Sequence, residues 1–255
     1  MKLGCEEEMR VRFIGGFADN DGVRIHYFDS NNLADSDVAP LLICPGLSET
    51  AEEYIDLLEF LLPRRCIVLS FRGRGNSDTP ERGYDLDEHR SDIEAVIRTL
   101  GLQQFHLFGH SRGASYALGC AAAPNELHIR SLLLGDYPPE HRQMPSGWAD
   151  EYIHDYLIPY QRTSNIRTEA VWGIQRESRL VALDSPSPLP ALILRGTLEG
   201  SLIKDLDMQR YRNKFRLLKV EEFHRSGHDL MGTEREGCYE AIRAFLNARD
   251  SVNVV

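Results

Sequence analysis

Basic charge is scarce in this chain, and so are cysteine and long apolar runs. Lys and Arg number 29 against 39 Asp and Glu, a formal net charge of −10 over 255 residues. Nucleic-acid backbones are bound by clustered cations, so this balance speaks against a nucleic-acid partner and mainly favours solubility. The five cysteines (Cys5, Cys44, Cys66, Cys120, Cys238) are odd in number and scattered, without paired metal spacing. Cys44, Cys66 and Cys120 lie in apolar stretches, where a small buried hydrophobe serves, and a reducing compartment is the simpler expectation. Phosphate-loop and dinucleotide fingerprints are absent, so neither a metal nor an organic cofactor is expected. No apolar run approaches the length of a membrane span, and the acidic Glu6-Glu7-Glu8 follows no apolar leader segment. A cytoplasmic protein without a membrane partner is expected. Internal repeats and low-complexity tracts are also missing.

What is present is an alternation of buried-strand and helix patterns. A hairpin is expected from Arg10 to Phe28 around Asp19-Asn20-Asp21-Gly22, and a strand at Pro40 to Cys44 that breaks at Pro45-Gly46. The spacing predicts helices over Ala51 to Leu62 and Leu86 to Leu100, with strands at Cys66 to Phe71, Gln104 to Phe108 and Ile129 to Leu134. Such alternation calls for a parallel sheet covered on both faces by helices. The rhythm stops between about Tyr137 and Pro188, then resumes at Ala191-Leu192-Ile193-Leu194, which marks an insertion. The last part reads as a helix near Lys204 to Arg212, a strand near Phe215 to Val220, a loop with His224 and His228, and a helix near Cys238 to Leu246.

The sharpest motif is Gly109-His110-Ser111-Arg112-Gly113, between the apolar strand and a helix of small residues. It reads as a nucleophile elbow: a serine on a sharp strand-to-helix turn leaves no room for bulk two residues to either side, and the glycines meet that need.

With two further motifs in order, Arg72-Gly73-Arg74-Gly75-Asn76-Ser77-Asp78 and Gly227-His228-Asp229, the chain resembles the α/β-hydrolase superfamily over essentially its full length. Within it, the likeness is to the capped serine esterase, lactonase and carbon-carbon hydrolase group. The resemblance implies an α/β-hydrolase fold: a mostly parallel sheet flanked by helices, with core residues 1–136 and 189–255 and a helical cap inserted at 137–188. Dehalogenases and epoxide hydrolases of this fold carry Asp at the elbow, so Ser111 points to acyl transfer. An unactivated hydroxyl needs a base and a group to orient that base. The resemblance makes His228 the base, with His224 the runner-up, and places Glu199, after the strand at 191–194, as the acid. Asp136, after the strand at 129–134, is the alternative acid. The backbone N–H groups of Leu47 and Arg112 are expected to form the oxyanion hole, although Pro45 stands where the family usually has His. For the Arg112 side chain, a buried ion pair with a carboxylate such as Asp136 is favoured over a handle for an acidic substrate group. His110 is expected to pack beneath the elbow. Trp148, Tyr152 and Tyr156, at helical spacing, either line a pocket or form the cap's own core, the latter favoured; Pro159 ends their helix.

The expected function is hydrolysis of a small acyl compound (ester, lactone or thioester) through a seryl acyl-enzyme, with a small-molecule substrate as partner. Carbon-carbon bond hydrolysis and acyl transfer use the same constellation, and a non-catalytic small-molecule receptor on this fold is the alternative from another class.

Overall fold

Successive apolar residues in short strands point to opposite faces, so a strand without polar positions must be covered on both sides. The computed structural model, which describes residues 13–34, 38–123 and 127–251, follows this rule. Among the described residues the strands are β1 (Ile14–Asn20), β2 (Val23–Asp29), β3 (Leu41–Cys44), β4 (Cys66–Leu69), β5 (Gln104–His110), β6 (His128–Gly135), β7 (Glu140–His141), β8 (Val181–Ala182), β9 (Ala191–Gly196) and β10 (Leu218–Phe223). Eight form one sheet in the order β1-β2-β4-β3-β5-β6-β9-β10, antiparallel at β1/β2 and β2/β4 and parallel elsewhere.

Leu42, Cys44, Ile67, Leu69, Phe105, Leu107, Leu132, Leu134 and Ile193 face one buried layer, shared with α2 (Leu86–Leu100), α3 (Arg112–Ala122) and α6 (Asp205–Lys214). Their neighbours Leu41, Ile43, Cys66, Val68, Phe108, Leu133, Leu192 and Leu194 face the other, under α1 (Ile55–Phe60) and α8 (Arg235–Asp250). The parallel order brings the C-terminal ends of β3, β5, β6 and β9 to one edge, where open α/β sheets bind ligands. No helix among the described residues is long and apolar enough to cross a membrane.

Several boundaries differ from the sequence expectation. The helix expected over Ala51 to Leu62 is a 3-10 turn (Ala51–Tyr54) leading into the short α1, and the Glu53 carboxylate accepts from the Thr50 amide at 3.0 Å at its entry. The strand expected at Phe215 to Val220 lies three residues later, since Phe215 closes α6 and is buried in the core. Arg10 to Arg12 of the expected hairpin, and Cys5, lie outside the described residues.

Between β6 and β9, residues 137–188 hold the two-residue ribbon β7/β8, α4 (Trp148–Glu151), a π-helical turn (Tyr152–Leu157) and α5 (Thr168–Glu177). The π-helical turn stops just before Pro159. Ala149, Ile153, Leu157, Ile166, Ala170, Val171 and Ile174 pack with Tyr84 into a third, smaller core. This segment therefore buries its own apolar stripe rather than adding to the sheet.

Candidate active site

Ser111 sits between β5 and α3 with φ +51° and ψ −133°, a conformation that a non-glycine residue rarely adopts. Its amide donates to Gly135 O at 2.7 Å. A Cβ at Gly113 would stand 2.1 Å from Cys44 O and 2.3 Å from Pro45 O, and one at Gly109 2.5 Å from Gly113 O. These approaches explain both glycines of the motif: the loop after β3 rests directly on the start of α3.

His228, in the loop between β10 and α7 (Leu230–Thr233), is brought to Ser111, its Nε2 lying 2.9 Å from Ser111 Oγ. Glu234 braces that loop, its carboxylate accepting from the Arg225 amide at 2.9 Å and the Ser226 hydroxyl at 2.7 Å. The partner of His228 Nδ1 is Asp136 Oδ2, at 2.8 Å. Asp136 is fully buried at the end of β6 with φ +40°, and it also accepts from Ser201 Oγ at 2.7 Å and the Leu202 amide at 3.0 Å. Burial alone pushes its carboxyl upward, but the three donors outweigh that and hold it below the usual carboxylate range.

Glu199, the expected acid, is not the partner of His228. The chain after β9 is tied to β10 and its loop by Thr197 N to Phe223 O and Leu198 N to Ser226 O, both 3.0 Å, and Glu199 is exposed on the following turn. That turn contributes Ser201 and Leu202 as donors to Asp136 instead. His224, the runner-up base, is exposed and meets Thr197 Oγ1 at 3.2 Å.

Leu47 and Arg112 line the same cavity as Ser111 and His228. A Cβ at Gly46 would come within 3.0 Å of Ser111 Cβ, so the Gly46-Leu47 segment lies against the serine. Arg112 is the first residue of α3, whose amide has no partner within the helix. The loop is fixed from behind by the fully buried Arg74, which donates from Nε to Leu47 O at 3.0 Å.

Two residues carry more than the sequence reading gave them. His110 lines the cavity, stacked on His228 with ring centroids 5.5 Å apart, and its Nδ1 lies 2.9 Å from Glu49 Oε1. Glu49 was not singled out from sequence. It also accepts from the Gly46 amide and the Tyr54 hydroxyl, both at 2.6 Å. Burial opposes charge on both partners, but each is held by the other: Glu49 is lowered to about 2, and His110 is raised above the usual histidine range. A Glu two residues beyond Leu47 was the available signal.

Arg112 corrects a second expectation. Its guanidinium is 1% exposed and touches neither Asp136 nor any other carboxylate among the described residues. Its partners are Tyr116 Oη, Met144 Sδ, His141 Nε2, Arg142 O and Ser178 Oγ. The reason is that the Asp136 carboxylate is taken up by other donors: it is enclosed by His228, Ser201 and Leu202.

The cavity, about 680 Å³, is roofed by Trp148, Tyr152 and Tyr156, stacked at successive centroid spacings of 5.1 Å. Tyr152 Oη meets Ser48 Oγ at 2.8 Å, and Arg162 donates to Ser48 O at 2.8 Å, so the inserted segment grips the loop after β3. No group of three His, Cys, Asp or Glu side chains among the described residues gathers as metal ligands do.

A family model described as the alpha/beta hydrolase fold matches residues 39–145. The N-formylmaleamate deformylase of Pseudomonas putida is 34% identical over 263 aligned positions, covering 91% of this chain and 96% of that one. The 2-(acetamidomethylene)succinate hydrolase of Mesorhizobium japonicum is 33% identical over a shorter stretch, 42% of this chain and 39% of its own. Among solved structures, an esterase from Exiguobacterium antarcticum superposes with a TM-score of 0.74 at 21% identity, covering 92% of this chain and 100% of the esterase.

Proposed function

The chain belongs to the α/β-hydrolase superfamily and is a hydrolase, and we propose that it cleaves small acyl compounds through a seryl acyl-enzyme. The observation that carries this reading is the unbroken chain of hydrogen bonds from Ser111 Oγ through His228 to Asp136. In the first step Ser111 Oγ attacks the acyl carbon and passes its proton to His228 Nε2, while Asp136 holds the Nδ1–H and offsets the imidazolium charge. The Leu47 and Arg112 amides receive the oxyanion. His228 then protonates the leaving group as its bond to the acyl carbon breaks. A water, giving its proton to His228, attacks the acyl-serine, and collapse frees the carboxylic acid and restores Ser111. The cavity volume suits a small organic substrate.

The serine site supports cleavage of an ester, lactone or thioester bond. A second reading, cleavage of an N-acyl bond, is favoured by the nearly full-length likeness to the deformylase. Hydrolysis of a short-chain 4-nitrophenyl ester series by wild type and Ser111→Ala, with folding checked by circular dichroism, tests the reading. Loss of at least about a thousand-fold in kcat/KM is expected for the variant. A folded Ser111→Ala protein that keeps the wild-type rate refutes it. Inertness toward every ester, with turnover of N-formyl amides that Ser111→Ala lacks, selects the second reading.

A further inference from the structure

Burying a guanidinium without a counter-ion is unfavourable, and a ligand that supplies one relieves that cost; Arg74 is equally buried among neutral partners, but unlike Arg112 it does not line the cavity. Every other basic side chain on the cavity wall has its carboxylate: Arg142 has Glu140 at 2.9 Å, Arg162 has Glu53 at 2.8 Å, His110 has Glu49 and His228 has Asp136. Arg112 has none among the described residues. Four of its five closest partners are ordinary oxygen or nitrogen acceptors that fix Nε and Nη2, and the Tyr137 side chain, on the same cavity wall, also lies against the guanidinium. The fifth, Met144 Sδ, stands 3.7 Å from Nη1, a weak acceptor on a flexible, half-buried side chain. The nearest carboxylate along this network, Asp85, is reached only through His141, 3.3 Å from the His141 Nε2 that faces Arg112.

We infer that the Arg112 guanidinium is a carboxylate subsite, and that the protein's substrate is an acyl compound whose acyl part bears a carboxylate. This rests on the seryl-hydrolase reading for the reaction, though not for the binding. The substrate carboxylate replaces Met144 Sδ on Nη1. Arg112 is adjacent in sequence to Ser111 and lines the same cavity, so the one side chain fixes how far the anionic group lies from the carbonyl under attack. The four neutral acceptors hold the guanidinium in place before substrate arrives, which limits the ordering cost on binding.

The test compares two esters with six-carbon acyl chains, mono-4-nitrophenyl adipate and 4-nitrophenyl hexanoate, and measures succinate against succinamide binding by calorimetry. Wild type is expected to favour the anionic ester by at least about tenfold in kcat/KM and to bind succinate over succinamide. Arg112→Gln brings the ester ratio near one and removes succinate binding. Met144→Glu, which keeps Arg112 and supplies an internal carboxylate, does the same and stands in if Arg112→Gln does not fold. A wild-type ratio near one without succinate binding overturns the inference, and so does a ratio that survives in the folded variants. If neither an ester nor an N-formyl amide turns over yet succinate binds in an Arg112-dependent way, the subsite holds and the seryl-hydrolase reading falls. Loss of both turnover and binding in the wild type overturns both.

Discussion

Asp136→Asn is the substitution on which the site's geometry makes the most definite statement. Asp136 Oδ2 receives two donors, His228 Nδ1 and the Leu202 amide, whereas Oδ1 receives only Ser201 Oγ. The asparagine amide therefore turns its NH2 toward Ser201, whose hydroxyl can reverse and donate to Ile203 O, 3.4 Å away. Its carbonyl then keeps His228 in the same tautomer and place. What is lost is the negative charge, fully buried and 2.8 Å from the ring that becomes an imidazolium in the proposed mechanism. Losing the aspartate of a Ser-His-Asp triad costs up to about 10⁴-fold, and with the tautomer retained the expected fall in kcat/KM is about 10³-fold, or about 4 kcal/mol. Stability falls by about 1–2 kcal/mol as charge-assisted hydrogen bonds become neutral ones. The assay is 4-nitrophenyl acetate hydrolysis beside urea unfolding, with Glu199→Gln in parallel, expected within twofold of wild type because Glu199 is exposed. A folded Asp136→Asn protein within tenfold of wild type, or a comparable loss in Glu199→Gln, refutes the reasoning.

Glu49→Gln breaks the His110 pair and weakens the Gly46 tether, so it is expected to lower stability by about 2 kcal/mol at neutral pH and reduce kcat more than it changes KM. Because Glu49 is lowered to about 2 in the fold, its contribution is present above the unfolded carboxylate range and is lost as pH falls toward 2; because His110 is raised, its contribution is present below about 6.5 and is lost as pH rises through its folded value. The stability difference between wild type and variant, followed by chemical unfolding across pH, should thus peak between those limits, and a flat difference would contradict the pairing. Tyr152→Phe removes only the hydroxyl that meets Ser48, and about 1 kcal/mol of loop positioning corresponds to a roughly fivefold fall in kcat/KM, measurable by steady-state kinetics. Gly113→Ala drives a methyl to 2.1 Å from Cys44 O, so thermal unfolding should show a loss of about 3 kcal/mol or more, a fall in Tm of about 6–12 °C.

The central sheet and the elbow were legible because both are local statements. A strand with apolar residues at every position must be covered twice, and Gly109 and Gly113 answer a steric demand set within five residues. The acid was not legible in that way. In the sheet order β6 lies between β5 and β9, so the loops after β6 and β9 both reach the edge where His228 arrives, and chain position alone offers both Asp136 and Glu199, with the family pattern favouring Glu199. The decision is made by hydrogen bonds that no local pattern encodes: Thr197 and Leu198 tie the β9 loop to β10 and its following loop, which leaves Glu199 exposed and turns Ser201 and Leu202 toward Asp136. The same enclosure removes Asp136 as a partner for Arg112. One tertiary choice therefore reverses two expectations at once: the carboxylate that takes the histidine leaves the arginine beside the serine without an internal counter-ion, and a substrate carboxylate is what the remaining space and charge suit.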